Sequence, residues 1–255
     1  MALPQPVALD DATLAARLAA VAGRLLIGVR ESGLLSQAAL GKAGDATANQ
    51  FLCHALREQR PQDGLLSEEE KDNPERLAKG RVWIIDPVDG TREYGEARTD
   101  WAVHVGLAID GQPVLGAVAL PDAGLVLRTD QPVPVAAAPA RLRMVVSRTR
   151  PAREATDVAA RLGAELIPMG SAGAKAMAIV RGQADIYLHS GGQYEWDSCA
   201  PAAVALAHGL HASRIDGAPL IYNAADPYMP DLLICRKEHA AIVLEAIAGL
   251  ASAQG

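Results

Sequence analysis

The sequence WIIDPVDGTREY occupies residues 83–94 and carries an apolar run directly into two aspartates. Residues 82–85 have the composition of a buried strand. Pro87 cannot donate to a sheet ladder and holds the residue before it in an extended conformation, so we expect Asp86 to end the strand. Gly90 then permits a tight turn into the start of a helix. The pattern predicts a buried strand whose carboxyl end carries acidic side chains.

These acidic side chains have two interpretations. Asp86, Asp89 and the carbonyl of Val88 can converge on one point, and hard oxygen ligands of this kind suit Mg²⁺. A solvated Pro-Asp-Gly turn needs no ligand and is the alternative. Two further acidic sites favour the metal: Glu68 in the run LLSEEEKD, and Asp197, which we place at the N-cap of a helix. Together they predict a site built from segments far apart in the chain.

Composition excludes several classes of protein. The chain has 255 residues, of which 50% are hydrophobic, and this is enough for a sizeable core. Its formal net charge of -6 and the lack of a basic run argue against a nucleic acid partner. Cys53, Cys199 and Cys235 are widely spaced, which predicts reduced thiols in a cytoplasmic protein. We see no basic leader and no uncharged run long enough for a bilayer, so we expect neither a signal peptide nor a membrane partner.

Hydrophobic periodicity predicts alternating helices and strands. The predicted helices cover residues 10–29, 46–57, 151–162, 171–181, 197–209 and 238–250. The predicted strands cover residues 65–66, 82–85, 103–109, 114–120, 125–128, 144–147, 165–169 and 184–188. The segment 129–140 is rich in Pro and Ala and is the best internal boundary. We therefore expect an α+β subdomain in residues 1–138 with most of the metal ligands, and an α/β subdomain in residues 139–255 with the substrate contacts and Asp197.

Three motifs resemble those of the inositol monophosphatase superfamily of Mg²⁺-dependent phosphatases. They are SEE at residues 67–69, WIIDPVDGT at 83–91 and EWD at 195–197, in the order found in that family. The sequence REY after DGT, the pair Ser147-Arg148, and DGAPLIYN at 216–223 are similar to the 3′(2′),5′-bisphosphate nucleotidases within it. The resemblance implies a layered αβαβα sandwich.

The resemblance also implies roles for individual residues. The ligands of two or three Mg²⁺ ions would be Glu68, Asp86, the carbonyl of Val88, Asp89 and Asp197. Thr91 would orient the attacking water and would be paired with an Asp on the second helix. Asp45 fits that position by the residues that follow it, but Lys42-Ala43-Gly44 replaces the usual Ser-Pro-Val-Thr, and Asn49 is a competing candidate.

Substrate contacts are implied by the same resemblance. The residues concerned are Gly90, Arg92, Ser147, Arg148, Gly170, Ser171, Lys175 and Glu195. The turn at Gly170-Ser171 and the following helix N-terminus suit hydroxyl or phosphate oxygens. Lys175 matches a lysine of nucleotide-cleaving members and Arg148 is a candidate for a second phosphate, although each alone is also typical of a surface cation. Tyr222 is a candidate for stacking on adenine or for packing.

The implied substrate is 3′-phosphoadenosine 5′-phosphate, cleaved to AMP and phosphate, which connects the enzyme to sulfate assimilation. Inositol-cleaving relatives carry a glutamate seven residues before the helix aspartate, where this chain has Ser190. An inositol monophosphatase or fructose-1,6-bisphosphatase of broader specificity is the alternative. Lithium inhibition is implied as well, and a homodimer is left open.

Two readings from other classes compete with this one. The haloacid-dehalogenase-like phosphatases use a D-x-D-x-T motif, but Asp86 and Asp89 are three residues apart rather than two. An inactive metal-binding scaffold is the non-enzyme alternative, although it would be expected to lose a ligand or Thr91. The histidines have no metal-ligand spacing, and we assign them no chemistry.

Overall fold

The computed structural model describes residues 9–251, which fold into two five-stranded sheets and three layers of helices. The helices are α1 (Asp11–Glu31), α2 (Gln37–Gln59), α3 (Thr91–Gly95), α4 (Arg153–Leu162), α5 (Ala172–Val180), α6 (Glu195–Ala207) and α7 (Ala240–Ala251). The strands are β1 (Gly64–Ser67), β2 (Arg81–Asp89), β3 (Ala102–Ile109), β4 (Gln112–Leu120), β5 (Leu125–Arg128), β6 (Arg143–Ser147), β7 (Glu165–Met169), β8 (Ile186–Tyr194), β9 (His211–Ser213) and β10 (Tyr228–Cys235). Short 3₁₀ helices cover Pro74–Ala78, Pro121–Ala123 and Lys237–His239.

The first sheet has the strand order β1-β2-β3-β4-β5, with β1 parallel to β2 and the other pairs antiparallel. Successive side chains of β2 point to opposite faces of the sheet, and both faces are covered by apolar residues. Trp83 and Ile85 pack into the core beneath α1 and α2, whereas Val82 and Ile84 pack into the core between the two sheets. The apolar run that precedes Asp86 is therefore the centre of the N-terminal half.

The second sheet has the strand order β7-β6-β8-β10-β9. Helices α4 and α7 pack on its outer face, while α5 and α6 lie between the two sheets. Gly106 and Gly116 leave room for the backbone of α6 at Ala200 to approach β3 and β4 closely. The resulting order of layers is αβαβα, which confirms the predicted fold class.

Several predicted boundaries were wrong. Helix α2 begins at Gln37 rather than at residue 46, because Gly41 and Gly44 weakened the helical pattern in the sequence. Strand β2 continues past Pro87 to Asp89 through a bulge, rather than ending at Asp86. Strands β9 and β10 were not predicted at all.

The position of Asp197 also differs from the prediction. Helix α6 begins at Glu195, so Asp197 is the third helical residue and not the N-cap. Its carboxylate still accepts a hydrogen bond from the backbone N–H of Tyr194 at 2.7 Å. In a capping box, the side chain of the third helical residue accepts a hydrogen bond from the backbone N–H of the N-cap residue. The carboxylate of Asp197 makes this bond and so satisfies the N–H of Tyr194.

Helix α1 is the one described helix that is long and apolar enough, by length and composition, to cross a membrane. Its residues Leu14, Leu18 and Leu26 are buried in the core formed with α2 and the first sheet. The prediction that the first residues contain no signal peptide concerns residues that lie partly outside the described range. The proposed subdomain boundary falls in residues 129–142, which lack helix and strand and separate the two sheets. The two-subdomain division stays a prediction.

Candidate active site

The end of β2 and the start of α3 place five of the predicted site residues, in the range 86–91, on one turn. The bulge of β2 lies between Asp86 and Asp89, and Gly90 follows with a φ of 89°, which an L side chain rarely adopts. The N–H of Val88 donates to Oδ1 of Asp86 at 3.1 Å, and the hydroxyl of Thr91 lies 3.1 Å from the carbonyl of Val88. The turn therefore directs two carboxylates to one side of the strand end.

Asp197 completes a cluster of three carboxylates with these two. One carboxylate oxygen from each of Asp86, Asp89 and Asp197 lies within 4.8 Å of the other two. Glu68 follows β1, and its carboxylate interacts electrostatically with Asp86 and Asp89. The structure thus brings together three of the four acidic residues that were predicted as metal ligands, from both halves of the chain, with Glu68 beside them.

The electrostatics of the cluster differ from those of surface acids. Burial, together with neighbouring carboxylates, raises the pKa of Asp197 and of Glu68 to about 7 and raises that of Asp86 well above its usual range. Within residues 9–251, none of these three makes a salt bridge with Lys, Arg or His. Carboxylates held this close without a cationic partner, beside a backbone carbonyl, are the donor set of a hard divalent cation. These residues fit such an ion.

Asp89 has a different environment from the other members of the cluster. Its Oδ1 accepts from the N–H of Ala172 at 3.0 Å, and its Oδ2 accepts from the hydroxyl of Ser171 and the N–H of Gly173, each at 2.5 Å. Nε2 of His104 lies 3.1 Å from the same Oδ2. Burial opposes ionisation, but His104 and these hydrogen bonds outweigh it and lower the pKa of Asp89 to about 2. Asp89 is therefore ionised at neutral pH.

This arrangement corrects one part of the substrate prediction. The first amides of α5 were expected to meet substrate oxygens, but they donate to Asp89 instead. The N–H of Gly170 is likewise used, because it donates to Asp100 at 2.6 Å. The N-terminus of α5 stabilises a carboxylate of the protein itself, as helix dipoles do for anions.

Thr91 lies next to Asp45, which is one of the two partners that the sequence offered for it. Its hydroxyl oxygen is 3.3 Å from Oδ1 of Asp45. Burial, followed by the charge of Glu69, raises the pKa of Asp45 to about 7. The competing candidate, Asn49, instead accepts hydrogen bonds from the hydroxyl of Ser67 at 2.7 Å and the thiol of Cys53 at 3.1 Å. The geometry therefore favours Asp45 over Asn49 as the neighbour of Thr91.

A cleft of about 520 Å³ opens beside the carboxylates. The predicted site residues that line it are Asp89, Gly90, Arg92, Ser147, Arg148, Gly170, Ser171, Lys175 and Asp197. Arg150, His189 and Glu93 also line it and were not predicted. Four cationic side chains around one cleft suit an anionic ligand.

The cations of the cleft are held by the protein in different ways. The ammonium of Lys175 is buried and donates to the carbonyls of Gly170 at 2.7 Å and Ser171 at 2.6 Å, which leaves one of its three protons for a ligand. Burial lowers the pKa of Lys175. Arg148 donates to Glu93 at 2.8 Å and to Glu96 at 3.0 Å. These contacts fix both side chains at the wall of the cleft.

Glu195, a predicted substrate contact, and Tyr222, a candidate for stacking or for packing, are both bonded inside the protein in this structure. Glu195 is 1% exposed and does not line the cleft, because its carboxylate accepts from the N–H groups of Asn223 and Ala224, both at 2.7 Å. Tyr222 is buried and donates to the hydroxyl of Ser198 at 3.2 Å, so it packs in the core and offers no face to a base. Both residues follow sequence patterns of a site and yet serve the scaffold.

His104 is a buried residue beside the cluster to which sequence reasoning assigned no chemistry. It lies on β3, directly opposite Asp86 in the β2–β3 register, and it is fully buried. No ligand spacing marks it, because its partners come from β2 and from α6. Only the folded structure reveals its contact with Asp89.

Residues 11–249 match the inositol monophosphatase family, and the chain belongs to that family. Among curated proteins it is 51% identical over 254 residues to the 3′-phosphoadenosine 5′-phosphate phosphatase of Mycobacterium leprae, covering 94% of each chain. It is 53% identical over 238 residues to the protein of the same name from Mycobacterium bovis, covering 89% of each.

Solved structures agree with this assignment. CysQ from Bacteroides thetaiotaomicron, a bacterial member of the same family, has a TM-score of 0.76 at 25% identity, with 89% of this chain and 97% of that chain covered. An inositol monophosphatase from Zymomonas mobilis has a TM-score of 0.78 at 21% identity, covering 96% and 100%, and is evidence of the shared fold alone.

Proposed function

We propose that this protein is a Mg²⁺-dependent phosphomonoesterase that hydrolyses 3′-phosphoadenosine 5′-phosphate to AMP and phosphate. The observation that carries the proposal is the cluster of Asp86, Asp89 and Asp197 at the edge of a cleft lined by cations. Relatives more than half identical over about nine-tenths of the chain bear the name of this activity, which supports the choice of substrate.

Glu68, Asp86, Asp89, Asp197 and the carbonyl of Val88 are the residues that would hold two or three Mg²⁺ ions. Bound Mg²⁺ would act as a Lewis acid on a phosphoryl oxygen and would lower the pKa of the attacking water. The raised pKa values of Glu68 and Asp197 support cation binding, since an ion replaces the protons that now relieve the repulsion between carboxylates. The four carboxylates would also offset most of the ionic charge.

Thr91 and Asp45 would orient the water that attacks phosphorus. When the hydroxyl of Thr91 donates to Asp45, its oxygen keeps lone pairs that accept a hydrogen bond from the water. The water then points its own lone pair away from Thr91 and toward the substrate. This role needs only the observed geometry of the pair and the pKa of about 7 of Asp45, which suits a group that shares or accepts a proton near neutral pH.

The cleft supports a substrate with two phosphate groups. Lys175 and Arg148 lie on its wall, with Arg92 and Arg150 also lining it, and one phosphate at the carboxylate cluster leaves cations for a second. Ser147, Gly90, Gly170 and Ser171 would shape the walls, and the amide of Gly170 already donates to Asp100. Ser190 donates to Glu154 at 2.6 Å and does not line the cleft, which disfavours recognition of inositol hydroxyls at that position.

Kinetics with three substrates test this proposal. Phosphate release is measured with Mg²⁺ for 3′-phosphoadenosine 5′-phosphate, inositol 1-phosphate and fructose 1,6-bisphosphate. We expect the highest kcat/KM for the adenosine bisphosphate. A higher value for inositol 1-phosphate or fructose 1,6-bisphosphate would assign the protein to the alternative of broader specificity, and no release from any of them would favour the inactive scaffold.

Compartment and assembly complete the proposal. Cys53, Cys199 and Cys235 are free and buried thiols, which supports the cytoplasm as the place of action. The small phosphate ester is the one partner that the cleft supports. The homodimer left open by the sequence stays a prediction, to be checked by sedimentation velocity.

A further inference from the structure

His104 contacts one carboxylate of the cluster and the backbone next to another. Its Nε2 lies 3.1 Å from Oδ2 of Asp89, and its Nδ1 lies 2.9 Å from the carbonyl oxygen of Trp196. Asp89 ends β2, while Trp196 lies in the first turn of α6 immediately before Asp197. One rigid imidazole ring on β3 therefore contacts both segments that bring carboxylates to the site from the two halves of the chain.

The surroundings of His104 leave the ring little freedom. It is 0% exposed, and a Cβ added to Gly173 would overlap its Nε2. The N–H of Gly173 donates to the same Oδ2 that faces His104. A glycine is required here by the close approach of the ring, so the ring, the carboxylate and the first turn of α5 form one packed unit.

These contacts divide the two oxygens of Asp89 between separate tasks. Oδ2 accepts from the hydroxyl of Ser171 and the N–H of Gly173, and Nε2 of His104 packs against it at 3.1 Å without hydrogen-bond alignment. Oδ1 accepts the N–H of Ala172. A carboxylate oxygen has two lone-pair directions, so Oδ2 has none left for a cation and Oδ1 has one.

We propose that His104 is a positioning residue for the cation site: its ring braces the Oδ2 side of Asp89, and it fixes the first turn of α6, with Asp197, relative to Asp89. This inference rests on the proposed function, because it concerns the same cluster of carboxylates. Groups that orient metal ligands in this way contribute to metal affinity without touching the metal.

Two amide variants separate the two contacts of the ring. In His104→Gln the side-chain amide can reach the place of Nε2 and keep a donor to Asp89. In His104→Asn the amide instead reaches the place of Nδ1 and keeps the donor to the Trp196 carbonyl. We expect the Gln variant, which loses the contact to Trp196 and keeps the one to Asp89, to bind Mn²⁺, used as the probe without substrate, no more than about tenfold more weakly than the wild-type protein. We expect the Asn variant to bind it about 10- to 100-fold more weakly.

A second measurement needs no metal. Amide hydrogen exchange in the presence of EDTA reports on the N–H groups of Ala172 and Gly173, which donate to Asp89. We expect both amides to exchange about tenfold faster in the Asn variant than in the Gln variant, because a freed carboxylate no longer holds them. Tyr222→Phe is the matched control, since it removes a buried hydrogen bond to α6 at Ser198, away from the cleft.

The outcomes separate this inference from the proposed function. If the wild-type protein binds no Mn²⁺, the proposed function fails and the inference fails with it. If the wild-type protein binds Mn²⁺ and His104→Asn binds it equally well, the positioning role is overturned while the proposed function stands. A loss of affinity in His104→Asn that Tyr222→Phe reproduces at equal thermal stability would reduce His104 to general packing and would also overturn the role.

Discussion

The hydroxyl oxygen of Thr91 lies 3.3 Å from Oδ1 of Asp45, a residue that precedes it by 46 positions and belongs to a different helix. The contact links α2 to the turn that carries Asp86 and Asp89. It joins the water-orienting pair to the cation site, because the same hydroxyl also lies 3.1 Å from the carbonyl of Val88.

Replacement of Asp45 tests that contact. We expect Asp45→Ala to lower kcat by about 100-fold, which is typical for loss of a proton-accepting group, and to leave Mg²⁺ dependence nearly unchanged. Asn49→Ala is the control, since Asn49 bonds to Ser67 and Cys53 and should affect stability more than kcat. Steady-state phosphate release measures both variants, and the reverse pattern would assign the pairing to Asn49.

The stability of the metal-free protein should depend on pH. Asp197 and Glu68 have pKa values raised to about 7 in the folded protein, and burial with the neighbouring carboxylates raises the pKa of Asp86 well above its usual range, against about 4 in an unfolded chain. Groups with a raised folded pKa favour folding while protonated, and that contribution is lost as pH rises from about 4 through about 7. The lowered pKa of Asp89 changes the folding stability only below about pH 4, so it does not oppose this trend.

We therefore expect Tm in EDTA to fall as pH rises from about 5 to about 8, and the increase in Tm produced by Mg²⁺ to grow over the same range. Differential scanning fluorimetry at matched ionic strength measures both quantities. Asp86→Asn should show a shallower fall in EDTA, because one of the crowded carboxylates is gone. A Tm in EDTA that rises with pH over this range would contradict the electrostatic picture of the cluster.

Glu195 should act on stability rather than on substrate binding. In Glu195→Gln one of the two N–H groups, of Asn223 or Ala224, would face an amide donor instead of a carboxylate oxygen. We expect this buried mismatch to cost about 1–3 kcal/mol of unfolding free energy, with the KM for 3′-phosphoadenosine 5′-phosphate unchanged. Urea denaturation and steady-state kinetics give the two numbers; a raised KM at wild-type stability would restore Glu195 as a substrate contact.

Arg148 should matter most for a substrate with two phosphates. It lines the cleft and is held there by Glu93 and Glu96. We expect Arg148→Ala to raise the KM for 3′-phosphoadenosine 5′-phosphate about tenfold, and that for 3′-AMP much less, because charge-assisted hydrogen bonds to the second phosphate are lost. Arg153→Ala on α4 is the control, with its side chain 77% exposed. Equal effects of Arg148→Ala on both substrates would place Arg148 elsewhere.

Strong local patterns made much of the fold predictable. The hairpin of β3 and β4, the helix α1 and the strand β7 follow alternation or helical spacing, and the structure has them within a few residues of the predicted bounds. Strand β10 escaped prediction because Pro230 and Asp231 interrupt its apolar run. In the folded chain Asp231 is neutralised by Arg214 at 2.6 Å, a partner that the local sequence does not reveal.

The candidate site, like the fold, was only partly predictable from the sequence. The motif at residues 83–91 singled out Asp86 and Asp89, because turn chemistry and acidic residues coincide in one short stretch, whereas Thr91 was implied by the family resemblance. His104 could not be found, since the register of β2 against β3 sets its place opposite Asp86 and no short-range pattern specifies that register. The inward direction of the Glu195 carboxylate could not be predicted either, because a motif gives identity and position, but not the direction in which a buried carboxylate points.

The most direct test of the central claim is phosphate release from 3′-phosphoadenosine 5′-phosphate by the wild-type protein and by Asp86→Asn, each with Mg²⁺ and with EDTA. Glu238→Gln serves as the control, with a side chain 58% exposed at the start of the terminal helical segment. The account predicts turnover by the wild-type and control proteins that requires Mg²⁺, and a loss of at least about 100-fold in Asp86→Asn while it stays folded. Turnover that survives either EDTA or the Asp86 substitution would contradict it.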